Sequence, residues 1–392
     1  MKRRSFLLGT SLLALEAAVS GCSATPAFEI ELLKDTVPIQ MVNRFRRQLE
    51  GRSAPRFVPK ASLNALYEQL RGDENSSGPD EPGRFPLNLI PRRQTATGSA
   101  DLVMIGDFWL TRAIQQDWLR PLNPEELQQW PQLPQRWQNL VRRNRQGELV
   151  AGDDGQIWAA PYRSGTTAIA YRRDRFEELG WTPTDWGDLW REELRDRISL
   201  LNQPREVIGL TLKKLGYSYN TADLDTVPNL KEELLALQQN VRLYDSDNYL
   251  KPLILGDTWL ALGWSTDISA AVQRQHDLGI AIPRSGTALW TDLWVKPKAA
   301  PAADDNLARE WIDFCWQPNI AAQMSLLTGA TSPIVWGANR ADLPPDLRDN
   351  PQLLPDAEIL ERSEFLLPLP ESTLKQYRDL WREIRQELII NN

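Results

Sequence analysis

The chain is poor in the side chains that carry much of enzyme chemistry. Its 392 residues include one histidine, His276, and two cysteines, Cys22 and Cys315. One imidazole builds neither a histidine metal cluster nor a histidine relay, and two thiols leave no room for a disulfide framework. His276 stands in the polar run "QRQHDLG" and is expected at an exposed helix end. Cys315, in "EWIDFCWQP", has apolar neighbours at helical spacing and is expected to be a buried core thiol. No glycine-rich phosphate loop, HExxH helix, nucleophile elbow or zinc spacing occurs. No apolar run reaches the ~20 residues that an ordinary membrane helix needs. Positive charge is also short: 45 Lys and Arg against 52 Asp and Glu leave a formal charge of −7. An acidic body disfavours nucleic acid and anionic lipid as partners.

Tryptophan, by contrast, is abundant, with 16 Trp against 9 Phe. Indoles supply large, flat, amphipathic surfaces that suit ligand stacking as well as cores. An apolar fraction of 42% and a length of 392 residues suit a soluble protein of two domains.

The first 22 residues, "MKRRSFLLGTSLLALEAAVSGC", have a basic start, an apolar stretch from Phe6 to Val19, and small residues before a cysteine. The stretch is too short and too early for a membrane span and reads as an export signal. "RRSFL" resembles the twin-arginine motif, and "VSGC" resembles the lipobox of bacterial lipoproteins. These resemblances imply a signal over 1–21 and a lipidated Cys22 that anchors the mature chain to the outer face of the inner membrane, in the periplasm.

Further along, "FEIELLKD" alternates like a strand, and "PIQMVNRFRRQLEG" follows with Ile39, Val42, Phe45 and Leu49 on one helical face. "RFVP" and "SLNALYEQLR" repeat strand and helix, the opening of a doubly wound sheet. Residues 72–99 turn to Gly, Pro, Asn, Asp and Arg and read as a loop insertion. "ADLVMIG" is a buried parallel strand, so the following Asp107, Phe108 and Trp109 stand where open α/β sheets collect ligands, Trp109 more simply packing under the next helix. "GQIWAAPYRSGTTAIAYRRD" reads as strand, Pro-Tyr break, strand; "DWGDLWREEL" reads as helical. "PREVIGLTLKKLG" is a helix opened by proline, and "WLALGWSTDISAAV" is a strand running into a helix that Ser265 is expected to cap.

In "GTALWTDLWVKPKAA", Trp290, Asp292 and Trp294 fall on alternate positions. On a strand they share one face, indole, carboxylate, indole. A carboxylate buried among aromatics needs a partner, which a bound organic cation supplies. Pairing with Lys296 or Arg284, or capping of a hinge turn, are the alternatives for Asp292. Glu206 near its helix start either meets a ligand or complements the helix dipole.

"ADLVMIGDFWLTRAIQQDWLRPLN", "APYRSGTTAIAYRRD", "LALGWSTDISAAV", "GIAIPRSGTALWTDLWVKPKAA" and "AREWIDFCWQPNIAAQMSLLTGATSPI", in this order, resemble the periplasmic solute-binding proteins of ATP-driven importers. The resemblance is strongest to their spermidine/putrescine-binding branch. It implies an α/β, two-lobed clamshell with two hinge crossings, an ABC permease as partner, no cofactor and no catalysis. The apparent crossing of strands near 160 and 292 sets the expected lobes at 28–160 plus 293–365 and at 161–292 plus 366–392. Residue by residue, the resemblance places a terminal amine on Asp292, cleft indoles at Trp290 and Trp264, a further ligand carboxylate at Glu206, a cleft aromatic at Phe108 and an N-terminal acid at Asp35. Thr166 is a candidate polar contact. Leu33 and Thr36 stand where that branch has aromatics, and Gln203 where a second carboxylate is common, so fewer charges are neutralised, and a shorter diamine, a monocation or another small solute is the alternative to a polyamine. A shape-preserving Asp292→Asn change is expected to weaken amine binding with little effect on folding. Two other classes remain: a cleft hydrolase using Asp292 and Glu206 as paired carboxylates, and a lipoprotein whose cleft is filled by its own side chains.

Overall fold

A computed structural model describes residues 28–71, 100–300 and 305–390. The expected signal over 1–21, the lipid-anchor cysteine Cys22 and the 72–99 insertion lie outside the described residues.

The architecture is α/β. Strands Glu29–Leu33, Arg56–Lys60 and Leu102–Gly106 lie parallel, joined by helices Ile39–Gln48 and Leu63–Arg71. Next in the sheet comes the return strand Ala288–Pro297, antiparallel to Leu102–Gly106, and then the crossing strand Ala160–Arg172. Beyond it lie Leu260–Trp264, Ile198–Leu200 and Val241–Tyr244.

Buried apolar side chains divide into two clusters. One gathers the first three strands, the return strand and helices Asp305–Trp316 and Pro318–Thr328, with Trp294, Trp311 and Trp316 fully buried. The other gathers strands Ile198–Leu200 and Leu260–Trp264, helix Pro204–Lys214 and Tyr377 of the C-terminal helix Glu371–Ile390. Along the crossing strand the change of cluster falls between Tyr162 and Ala168, and along the return strand between Ala288 and Leu289. One thirteen-residue strand thus serves both cores.

Several local expectations change. The Pro-Tyr break is absent: Pro161 is the second residue of a continuous strand, placed beside a bulge where a missing N–H costs no ladder bond. "DWGDLWREEL" forms two 3-10 turns, Trp186–Trp190 and Glu192–Leu194, the first opened by a capping box between Asp185 and Asp188. Ile39 is 64% exposed and Met41 takes its place in the core, since the helix begins only at Ile39 and its inward stripe is Met41, Val42 and Phe45. Cys315 is buried and His276 exposed, as expected.

Candidate functional site

The site is built where the two long strands cross. Asp292 faces Arg163 and Trp290 faces Gly165 across the antiparallel ladder; a bulge then sets Leu293 against Pro161. On its other edge, the crossing strand sets Thr167 against Trp264. Directly opposed residues of antiparallel strands project to the same face, and alternate residues of one strand share it. The Asp292–Arg163, Trp290–Gly165 and Trp264–Thr167 pairs therefore form one strip. From Arg163 to Thr167 it spans about 13 Å at ~3.3 Å per residue.

Gly165 is required here by close approach. A Cβ at this position would lie 2.2 Å from the Trp290 ring and 2.7 Å from the Ser265 hydroxyl. The half-buried Trp290 lies across that bare backbone and donates its Nε1–H to the Thr166 carbonyl at 3.3 Å. Ser265 does not cap the helix that it opens. Its Oγ accepts from the Thr166 N–H at 3.1 Å. The crossing strand changes partner there, and its backbone donor would otherwise be buried without an acceptor.

Asp292 is 2% exposed and Arg163 9%. The Arg163 Nε–H donates to Asp292 Oδ2 at 2.7 Å, and its guanidinium carbon lies 5.7 Å from the Trp290 ring centre. Burial pushes the Asp292 carboxyl up from its ordinary value, and the guanidinium pulls against that. Neither partner considered from sequence is used: Lys296 pairs with Asp305, and Asp292 makes no ion pair with Arg284.

At the strip's other end, Glu206 lies in the first turn of helix Pro204–Lys214 and accepts from the Thr167 hydroxyl at 3.1 Å. Its second oxygen, Oε2, is buried without a hydrogen-bond partner. Burial pushes this carboxyl up to about 7, against the Thr167 hydrogen bond and the charge of Arg205. Asp107, half-buried, is also pushed up to about 7, by burial above all and further by the like charge of Asp292, while the Thr291 N–H opposes the shift. The exposed Asp267 accepts from the Tyr249 hydroxyl at 2.9 Å, and the same hydroxyl accepts from the Trp264 N–H at 3.2 Å.

The strip brings together Asp292, Trp290, Trp264 and Glu206. Phe108 instead projects into solvent, 67% exposed, beside Trp109, which stacks on Tyr67 at 5.1 Å. Asp35 is exposed at a positive φ of 65° in the turn after the first strand. That turn is held to the crossing strand by the Tyr162 hydroxyl, which donates to the Thr36 carbonyl at 2.7 Å. Thr166 projects to the face opposite the strip, its hydroxyl buried without a partner. Arg163 was missed. Its signal was a lone basic residue in the small and apolar run "APYRSGTTAIA", two positions before the glycine.

Among the described residues no group of three or more His, Cys, Asp or Glu is arranged to hold a metal, and no helix is long and apolar enough to cross a membrane. Two surface concavities of about 480 and 470 Å³ lie away from the strip, between the Leu230–Gln238 and C-terminal helices and beside Arg284 and Arg362.

Residues 98–362 match the family model described as bacterial extracellular solute-binding protein. The chain is 32% identical over 213 residues to a spermidine/putrescine-binding periplasmic protein of Salmonella typhimurium, covering 54% of this chain and 60% of that one. It is 30% identical over 246 residues to a putrescine/cadaverine-binding protein of Pseudomonas aeruginosa, covering 59% and 68% of the two chains. The match therefore spans less than two thirds of the Salmonella relative. In fold, it is similar to a spermidine/putrescine ABC transporter substrate-binding protein from Streptococcus pneumoniae, with a TM-score of 0.73, 20% identity, and coverage of 92% of this chain and 99% of that one.

Proposed function

The chain belongs to the bacterial extracellular solute-binding proteins, and from that premise we propose that it captures a small amine-bearing solute, a polyamine or related amine, in the periplasm and delivers it to the permease of an ABC importer. The observation that carries this reading is the strip at the crossing. Two half-buried indoles stand in a row between buried carboxylates, and one carboxylate oxygen, Glu206 Oε2, is buried without a partner. Indole faces receive methylenes and ammonium groups, and a charge-assisted bond satisfies the orphan oxygen. A hydrolase using paired carboxylates gains nothing from this arrangement, since Asp292 is bound to Arg163.

The reading includes two lobes, 28–160 plus 293–365 and 161–292 plus 366–392, that close on the solute about the two crossings. Two separate apolar clusters support a division into two lobes, although they change over between Tyr162 and Ala168 and between Ala288 and Leu289, some residues from these bounds. It also includes twin-arginine export and anchoring through a lipidated Cys22, which rests on the signal motif. Membrane fractionation checks the anchor: a Cys22→Ser variant is expected in the soluble fraction, and its retention with membranes would remove the anchor from the reading.

A thermal-shift panel of putrescine, cadaverine, spermidine and amino acids tests solute capture. A ligand at a hundredfold excess over its Kd stabilises the protein by roughly 2.7 kcal/mol. A flat response across the whole panel would sink the reading.

A further inference from the structure

Resting on the solute-capture reading, we infer that Arg163 converts the Asp292 pole from a seat for an ammonium into a seat for a carboxylate, so that the ligand is an ω-amino carboxylate with its carboxylate on Arg163 and its ammonium on Glu206.

The groups that would receive an ammonium at this pole already serve a cation belonging to the protein. Asp292 Oδ2 accepts from Arg163 Nε at 2.7 Å, and the guanidinium carbon stands 5.7 Å from the Trp290 ring centre. Asp292 Oδ1 makes no hydrogen bond among the described residues, but the guanidinium already neutralises this carboxylate, so a cation at Oδ1 would lie beside a like charge. Asp267, the other carboxylate that feels the charge of Arg163, is held by the Tyr249 hydroxyl. A second cation here would meet like charge at short range in a poorly solvated place.

The pole also offers donors. Nη1 and Nη2 of Arg163 make no hydrogen bond among the described residues, and they keep contact with solvent. The paired N–H groups of a guanidinium match the two oxygens of a carboxylate, a fit that an ammonium cannot use. Asp292 then acts as a positioning residue: it fixes Nε and so aims the terminal nitrogens.

The opposite pole has the opposite need. Glu206 is 6% exposed, and its Oε2 lacks a partner although Oε1 is held by Thr167. No arginine or lysine forms an ion pair with it among the described residues, so an ammonium supplies what is missing. Trp290 and Trp264 lie between the poles and suit a short methylene chain. A diamine satisfies Glu206 and clashes electrostatically with Arg163; an amino carboxylate of the same length satisfies both.

Calorimetric titration of the mature chain with δ-aminovalerate and with cadaverine, which are equal in length, tests this. The wild type is expected to bind δ-aminovalerate at least tenfold more tightly than cadaverine. Arg163→Met, which frees Asp292, is expected to reverse the order; Arg163→Lys, which keeps the charge but not the fork, is expected to keep the order with a smaller ratio. Equal or tighter binding of cadaverine by the wild type overturns the inference and leaves solute capture standing. Heat from neither probe also overturns it, and capture itself falls only if the wider amine panel is silent too. The wild-type ratio decides the matter even if Arg163→Met fails to fold.

Discussion

Asp292 and Glu206 stand at opposite ends of one strip, and both are buried carboxylates, 2% and 6% exposed. Each keeps one carboxylate oxygen without a hydrogen bond, but Asp292 faces a guanidinium across the ladder, whereas Glu206 faces a threonine hydroxyl. Burial pushes both carboxyls upward, so burial alone does not tell a structural carboxylate from a receptive one. The difference lies in the counter-charge. The first carboxylate has its counter-ion within the fold, and the second forms no ion pair among the described residues.

The largest effect is expected from Arg163→Met. It leaves Asp292 buried without its cation, a change that costs about 3–5 kcal/mol when the pair is desolvated. Urea unfolding measures it, and adding Asp292→Asn to the same chain is expected to recover much of the loss. A cost below ~1 kcal/mol would reduce the pair to the level of an exposed one. By the same logic, Asp292→Asn alone now carries a folding cost, contrary to the expectation from sequence, because Arg163 loses its counter-charge.

Glu206→Gln sharpens the comparison from the other end. Loss of a charged hydrogen bond is expected to weaken ammonium binding by about 1.5–3 kcal/mol, measured by calorimetry. The pH dependence of stability gives a second readout. With its carboxyl raised in the folded state from 4.5 to about 7, Glu206 stays protonated while the unfolded chain ionises. Stability therefore falls as pH rises between those values and levels off above them. Glu206→Gln is expected to flatten part of this fall; the other carboxyls that burial raises, Asp107 to about 7 and Asp292 among them, contribute the rest. An unchanged slope would mean that Glu206 is ionised throughout.

Gly165→Ala tests the middle of the strip. Its Cβ would meet the Trp290 ring at 2.2 Å, and overpacking of this kind costs about 1–3 kcal/mol. Trp290 fluorescence is expected to shift as the indole moves out.

The smallest effect is expected from Thr166→Val, within about 0.5 kcal/mol in thermal unfolding. It removes a buried hydroxyl that has no hydrogen bond to lose. A measurable loss of ligand affinity would show that Thr166 belongs to the strip after all.

Much of the fold was legible because its signals are local. "ADLVMIG" and "LALGW" are short apolar runs between turns, and Pro204 and Ser62 mark helix starts, the Ser62 hydroxyl accepting from the Ala65 N–H at 3.1 Å. Arg163 was not legible in this way. Its role depends on register with a strand 129 positions away, and nothing in "PYRSG" announces which residue it will face. Ser265 misled for the same reason: a serine before a helix looks like a cap until a neighbouring strand requires its oxygen. Residues whose role is set along the chain were read correctly more often than those set across it.

The bulge beside Pro161 has a practical meaning for protein engineering. Between the Asp292–Arg163 and Leu293–Pro161 pairings the crossing strand carries one extra residue, Tyr162, and that residue ties the strand to the Thr36 turn. The two stretches of strand are out of phase by one position. A chimaera joined inside 160–163, or an alignment that closes a one-residue gap there, would turn either the indole row or the tryptophan core to the wrong face. Grafts of this strip onto a related scaffold therefore need their junctions outside both long strands, with the supernumerary tyrosine carried along.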